Sequence, residues 1–149
     1  AVDALIEALK TPIEDLPVPG REIQGTISRD TLTGGNGDDT IIGFQGRDTL
    51  IGGGGSDSFV YESLLHAGDI ITDFEPGSDK IIFTEIFNRS GYEGNNPMAD
   101  GYLKFASRRG TTIISLDHDG PDGPGRFRSF IAVQNVSVDA LNDPINFGF

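Results

Sequence analysis

The apolar positions of this chain change period along its length, and each change marks a different kind of element. In "AVDALIEALK", Val2, Leu5, Ile6 and Leu9 recur at i, i+3, i+4 and i+7, the spacing of one helix face, and Pro12 stops the run. "TPIEDLPVPG" places three prolines in ten residues, which suits an extended connector ending near Arg21. From Gly25 the period becomes nine: "GTISRDTLT", "GGNGDDTII", "GFQGRDTLI" and "GGGGSDSFV" follow one another to Val60 without insertion or deletion. Position six is aspartate in each and position eight is apolar, giving the pairs Asp30 and Leu32, Asp39 and Ile41, Asp48 and Leu50, Asp57 and Phe59. Asp69 with Ile71 and Asp79 with Ile81 keep that signature at looser spacings, for six turns in all.

Six residues rich in glycine and aspartate build a tight turn, and the three that follow build a short strand. Side chains alternate along a strand, so the position-eight residues line a shared interior. The unit winds two strands per coil of eighteen residues, a parallel β-roll in which each turn lies beside the turn two repeats away. Asp39 is then expected beside Asp57, and Asp30 beside Asp48. Ile42 and Val60 at position nine face outward, and C-terminal strands or the N-terminal helix are expected to cover them. Beyond residue 84, "GYLKFAS", "TTIISLD" and "RFRSFIAV" read as antiparallel strands with "DHDGPDGPG" as a turn-rich loop. The expected fold is all-β: a short N-terminal helix and Pro-rich linker over 1–20, a β-roll over 21–83, and C-terminal strands over 84–149 forming a sandwich-like cap packed on the roll as one structural unit.

Composition narrows the function. The net charge of −12 argues against nucleic acid or an anionic membrane as the main partner and favours cations, and no apolar run approaches the ~18 residues of a membrane span, so no membrane insertion is expected. With no cysteine there is neither a disulfide framework nor a thiolate metal site. "AVDALIEALK" carries acids inside its apolar run, unlike a cleavable signal peptide, and the chain is expected to be a piece of a longer protein because it lacks an initiator methionine. Stacked carboxylates repel unless a cation lies between them. Residues 25–83 hold ten acidic side chains against three basic ones, and all donors on offer are hard oxygens, so Ca²⁺ rather than Mg²⁺ is the expected ion.

These nonapeptides resemble those of the RTX proteins, whose repeat is GGxGxDxUx. "GGNGDDTII" and "GGGGSDSFV" match every fixed position, "GFQGRDTLI" has Phe44 for the second glycine, and "GTISRDTLT" keeps Gly25, Asp30 and Leu32. "DIITDFEPGSDKIIF" is similar to the element that closes the roll in serralysin-type proteases and alginate epimerase R-modules, and the terminal strands are similar to theirs more loosely. The resemblance implies two to four Ca²⁺ held by the carbonyls and aspartates of paired turns. Gly34, Gly35, Asn36, Gly37 and Asp39 would face Gly52, Gly53, Gly54, Gly55 and Asp57. Gly43, Gln45, Gly46 and Asp48 would face Asp30 on one side and the region of Asp69 on the other, with Asp73 and Asp79 extending the series. It further implies a monomeric module without enzymatic activity, secreted by the type I machinery of a bacterium and folded by calcium outside the cell. The alternative is a calcium-supported module that binds an acidic polysaccharide, for which Arg126 and Arg128, at i and i+2, are the candidate contacts. Asp38, at a variable position, reads as surface charge. "DHDGPDGPG" gathers Asp117, Asp119 and Asp122 but lacks the EF-hand ligand pattern and its closing glutamate, so it reads as a loop without metal.

Overall fold

The computed structural model describes residues 18–149, so the helix expected over the first ten residues lies outside the described part. Among the described residues, eleven strands form two sheets. The first is β1 (Glu22–Gln24), β3 (Thr40–Ile42), β5 (Ser58–Val60), β7 (Lys80–Ile82) and β11 (Phe147–Gly148), in that order and parallel throughout. The second is β2 (Thr31–Gly35), β4 (Thr49–Gly53), β6 (Asp69–Ile71) and β10 (Arg128–Gln134) in parallel, then β9 (Thr111–Leu116) and β8 (Leu103–Arg108) antiparallel.

Successive strands alternate between the sheets, which is the winding that the nine-residue period predicts. Thr31 lies opposite Thr49 and Thr40 opposite Ser58, each a separation of two repeats. The looser spacings after Asp57 are absorbed outside the ladders, partly in a 3-10 turn at Leu64–His66, so Leu50 still meets Ile71 and Phe59 still meets Ile81. The roll begins one strand earlier than the glycine pattern indicates, because β1 pairs with β3.

The C-terminal segment continues the roll edge to edge. β10 lies parallel to β6, with Ile131 opposite Asp69, and β9 and β8 extend the same sheet as a meander. β8 and β9 are joined through Arg109 and Gly110, with φ of 52° and 79°, the pair of left-handed residues that a tight hairpin turn requires. Besides the short 3-10 turns, two α-helices among the described residues escape the strand pattern: α1 (Thr84–Ser90) and α2 (Val138–Leu141). α1 buries Ile86 and Phe87 and stops at Gly91, whose φ of 77° lets its N–H return to the carbonyls of Phe87 and Asn88.

The position-eight side chains Ile41, Leu50, Phe59, Ile71 and Ile81 are buried, whereas Leu32, at the N-terminal end of the stack, is only partly so. Ile42 is also buried and Val60 is half-buried. At the other end the core thickens into aromatic rings. Phe83 lies 5.8–6.2 Å between centroids from Tyr61, Phe87, Phe130 and Phe147, which joins the roll, α1, β10 and β11. Such pairs add about 0.5–1.5 kcal/mol each beyond the area they bury. Asn146 locks the same end: its side-chain oxygen accepts the N–H of Gly77 in the last turn, and its amide donates to the carbonyls of Ala140 and Leu141.

Because cavity cost scales with burial, Leu50→Ala is expected to lower stability by about 2–5 kcal/mol in calcium-saturated urea melts. The chemically identical Leu32→Ala is expected to cost about 1 kcal/mol or less.

Candidate metal centre

At position six the roll does something unusual with aspartate. Asp39, Asp48, Asp57, Asp69 and Asp79 are each no more than 2% exposed, although ionised carboxylates are ordinarily kept in water. One oxygen of each is fixed in the same way. The N–H of Asp30 donates to Asp48 Oδ1 at 2.8 Å, Asp39 to Asp57 at 2.9 Å, Asp48 to Asp69 at 3.0 Å and Asp57 to Asp79 at 2.9 Å. Each aspartate therefore holds the turn before it in its own stack, and two ladders of such bonds run along the two edges of the roll.

The second oxygen divides the set. Asp39 Oδ2, Asp48 Oδ2 and Asp57 Oδ2 are buried with no hydrogen-bond partner. All three sit against the glycine that opens their own turn. A Cβ on Gly34 would lie 2.5 Å from Asp39 Oδ2 and would also strike the Gly52 carbonyl of the next turn. On Gly43 it would meet Asp48 Oδ2 at 2.6 Å and Asp69 Oδ2 at 3.1 Å, and on Gly52 it would collide with Asp57 Oδ2. Gly25 repeats the arrangement with Asp30 Oδ2 at 2.9 Å and the Gly43 carbonyl at 2.5 Å. The position-one glycine thus leaves room for carboxylate and carbonyl oxygens from two turns to converge. An all-oxygen, anionic, donor-free niche of this kind suits a hard divalent cation, and Ca²⁺ accepts the six to eight irregular oxygen contacts that such turns supply.

The other candidate residues are placed differently. Asp69 Oδ2 accepts the Tyr61 hydroxyl at 3.0 Å, and Asp79 Oδ2 accepts the Glu75 N–H at 2.8 Å. Both oxygens of Asp73 already accept backbone N–H groups, those of Gly52 and Gly53, each at 2.8 Å. Asp30 is only half-buried, and its Oδ2 is held by the N–H and hydroxyl of Thr26. Gly35, Gly37, Gly46, Gly53 and Gly55 lie in the stacked turns, where Gly53 faces the Gly35 carbonyl and Gly55 that of Gly37. Gly54 and the side chains of Asn36 and Gln45 are exposed. Asp38 is exposed as well, yet it ties two turns together by accepting the Ser56 N–H at 2.7 Å. At position two, Phe44 occupies a left-handed conformation with φ of 65°, which costs a residue bearing a Cβ roughly 1–2 kcal/mol, and its ring sits edge-on to His66 at 5.7 Å.

One participant is hidden by its charge. Arg21 stands nine residues before Asp30, so it holds position six of a turn whose sequence no longer looks like a repeat. Its N–H donates to Asp39 Oδ1 at 2.8 Å, as the next rung of that ladder, and its Nε lies 3.9 Å from the same oxygen. The guanidinium also lies against Gly35, where a Cβ would be 2.8 Å from its Nη2. The register of nine locates this residue; the search for aspartate passes over it.

Burial raises the carboxyl pKa of Asp48 and Asp57, against the backbone N–H that each accepts, and the neighbouring carboxylates raise both further. Asp79 is raised chiefly by burial in the same way, and Asp69 is pushed to about 6. Without metal, Asp48, Asp57, Asp69 and Asp79 hold their protons more tightly than free acids do, the opposite of what a cation would impose.

Comparison with known proteins matches residues 24–59 to the RTX calcium-binding nonapeptide repeat, in four copies. Among solved structures, the R2 subunit of the AlgE6 mannuronan C5-epimerase from Azotobacter vinelandii is 26% identical with a TM-score of 0.58, over 90% of this chain and 92% of that one. The R3 subunit of the same enzyme is 24% identical with a TM-score of 0.49, over 93% and 82%. No curated protein matches this chain. The chain carries RTX calcium-binding repeats and folds as a β-roll like the R2 subunit.

The pKa shifts fix the sign of a pH effect. Carboxyls whose pKa is raised by folding stabilise the metal-free fold fully below the unfolded value near 3.8, and that contribution is lost as pH rises through each folded value, which for Asp69 is about 6. The folded fraction of the metal-free chain, small at neutral pH, is expected to rise as the pH is lowered, read by far-UV circular dichroism. Saturating calcium is expected to reverse that trend, since its ligands must be ionised.

Proposed function

We propose that this RTX-repeat β-roll is a calcium-folded, non-catalytic module of a larger exported protein, and that calcium acts as the switch between its unfolded and folded states. The observation that carries this reading is the set of buried, unpartnered oxygens on Asp39, Asp48 and Asp57, each in a glycine niche beside a second turn. In this reading one edge holds ions between Gly34–Asp39 and Gly52–Asp57, with the row extended toward Asp79. The opposite edge holds them between Gly43–Asp48 and the turns of Asp30 and Asp69. Two to four ions result. Asp73 serves as a carboxylate clamp on the Gly52–Gly53 backbone, in keeping with its two hydrogen bonds there.

The physics of such a switch is linkage. Niches built from turns far apart in sequence exist only in the folded chain, so binding free energy becomes folding free energy. Where calcium is scarce the chain stays unfolded and fit to thread through a type I exporter; where calcium is abundant it folds. The likeness to the R2 subunit of the Azotobacter epimerase, one part of a larger enzyme, is the analogy for an accessory role.

A second reading rests on a separate surface. Arg126 and Arg128 line one groove of about 200 Å³ together with His118 and Phe130, and Lys104 lies 4.6 Å over the Phe127 ring nearby. A cationic groove beside aromatic rings on a strongly acidic protein fits an anionic polymer, and the structural neighbours are subunits of a mannuronan epimerase.

Calcium is expected to drive a coil-to-β transition in far-UV circular dichroism that magnesium does not reproduce. A chain equally folded in chelator would sink the switch. Asp57→Asn keeps an acceptor for the Asp39 N–H but removes the charge, so it is expected to weaken calcium binding about tenfold or more by calorimetry, whereas Asp38→Asn has little effect. For the groove, Arg126→Glu with Arg128→Glu is expected to abolish retention on an immobilised acidic polysaccharide while leaving the calcium-induced dichroism intact.

A further inference from the structure

Away from both edges of the roll, the loop between β9 and β10 holds a second group of acids. Asp117, directly after β9, is only 5% exposed, and its backbone is pinned by the bond from its N–H to the Tyr102 carbonyl at 2.8 Å. Two residues on, Asp119 is fixed through Oδ2, which accepts the Gly125 N–H at 2.9 Å. Asp117 Oδ1 and Asp119 Oδ1 remain buried with no hydrogen-bond partner. They converge on one place: a Cβ on Gly125 would stand 3.0 Å from Asp117 Oδ1 and would collide with Asp119 Oδ1. The His118 imidazole brings a third donor, so that one ligand atom from each of the three lies within 4.8 Å of the others.

Two carboxylate oxygens facing one niche repel strongly unless something positive lies between them. Among the described residues no lysine or arginine forms an ion pair with either acid. Gly120, with φ of 72°, turns the chain sharply, and the Gly123 N–H donates to its carbonyl, which folds the loop back over the two acids.

We infer that Asp117 and Asp119 form a divalent-cation site separate from the repeats, with Ca²⁺ as its ion. Oδ1 of each aspartate supplies an anionic ligand, carbonyls of the 120–125 turns and water complete a hard-oxygen shell, and Gly125 keeps the position clear. His118, exposed at the rim, is not needed for such a shell. Absence of the EF-hand spacing does not count against the site, because its two carboxylates are brought together by burial at the root of a hairpin. The ion would fix the β9–β10 connection and with it the strand that joins this hairpin to the roll.

The test uses the whole chain. Asp117→Asn with Asp119→Asn is expected to bind one calcium ion fewer per chain in equilibrium dialysis, with the calcium-induced far-UV dichroism of the repeats retained. An unchanged ion count overturns the site, whatever the fate of the repeats. Should the double variant fail to fold, terbium decides. The chain has three tyrosines and no tryptophan, and the Tyr102 ring lies against Gly120 in this loop. Tyr102→Phe is expected to remove one calcium-displaceable part of the tyrosine-sensitised terbium emission, a part that survives in Asp57→Asn. Emission unaltered by Tyr102→Phe, or displaced by zinc but not by calcium, overturns the assignment. Failure of the repeat sites would remove the complementary part of the signal, so the two results are separable.

Discussion

The constraint that governs this molecule is the crowding of carboxylates on a strand-spaced lattice. Neighbouring strands lie about 4.8 Å apart, so position-six aspartates in register approach one another far more closely than free acids would. At that separation two unit charges repel by roughly 3 kcal/mol at an effective dielectric constant near 20. The chain meets part of this with geometry, giving one oxygen of each acid to a backbone N–H of the adjacent turn. The remaining oxygens of Asp39, Asp48 and Asp57 are buried with no hydrogen-bond partner, the position the proposed cation would take. The interior, the turns and the glycine pattern all follow from keeping these oxygens aligned.

A nine-residue turn and strand has one inward side chain, so each sheet of the roll contributes only a single file of apolar residues to the core. Such a file cannot close itself, and the C-terminal third supplies what it lacks. β10 and β11 take the places of a further coil, and Phe83, Phe130 and Phe147 fill the width that one isoleucine per strand cannot. Asn146 then satisfies backbone groups at the last turn. Fold and metal site are one problem here, because displacing the cap would open the Asp79 end of one ladder.

Much of this was legible in the sequence because the repeat is a local code. Position eight identified Ile41, Leu50, Phe59, Ile71 and Ile81 as core, and position six identified the buried acids even where spacing loosened at Asp69 and Asp79. What could not be read depends on partners distant in sequence. The Asp69 and Asp79 oxygens are taken by Tyr61 and by the Glu75 backbone, and Asp73 is drawn to the Gly52 turn, none of which a count of aspartates reveals. α1 escaped because its seven residues are too few for a helical period to declare itself, and β11 because two residues carry no period at all. Arg21 escaped for a chemical reason: it holds the register of an aspartate with the opposite charge.

That arginine gives the roll a direction. Its end of the described stack has a half-exposed Leu32 and an ion pair with Asp39, while the opposite end is bolted by aromatic rings and a buried asparagine. In a one-dimensional array whose coils touch only their neighbours, such asymmetry acts like a zipper with a fixed stop. Among the described coils, those nearest Arg21 have the thinner core, so on the proposed calcium loading they would open singly and the aromatic end would yield only as a block.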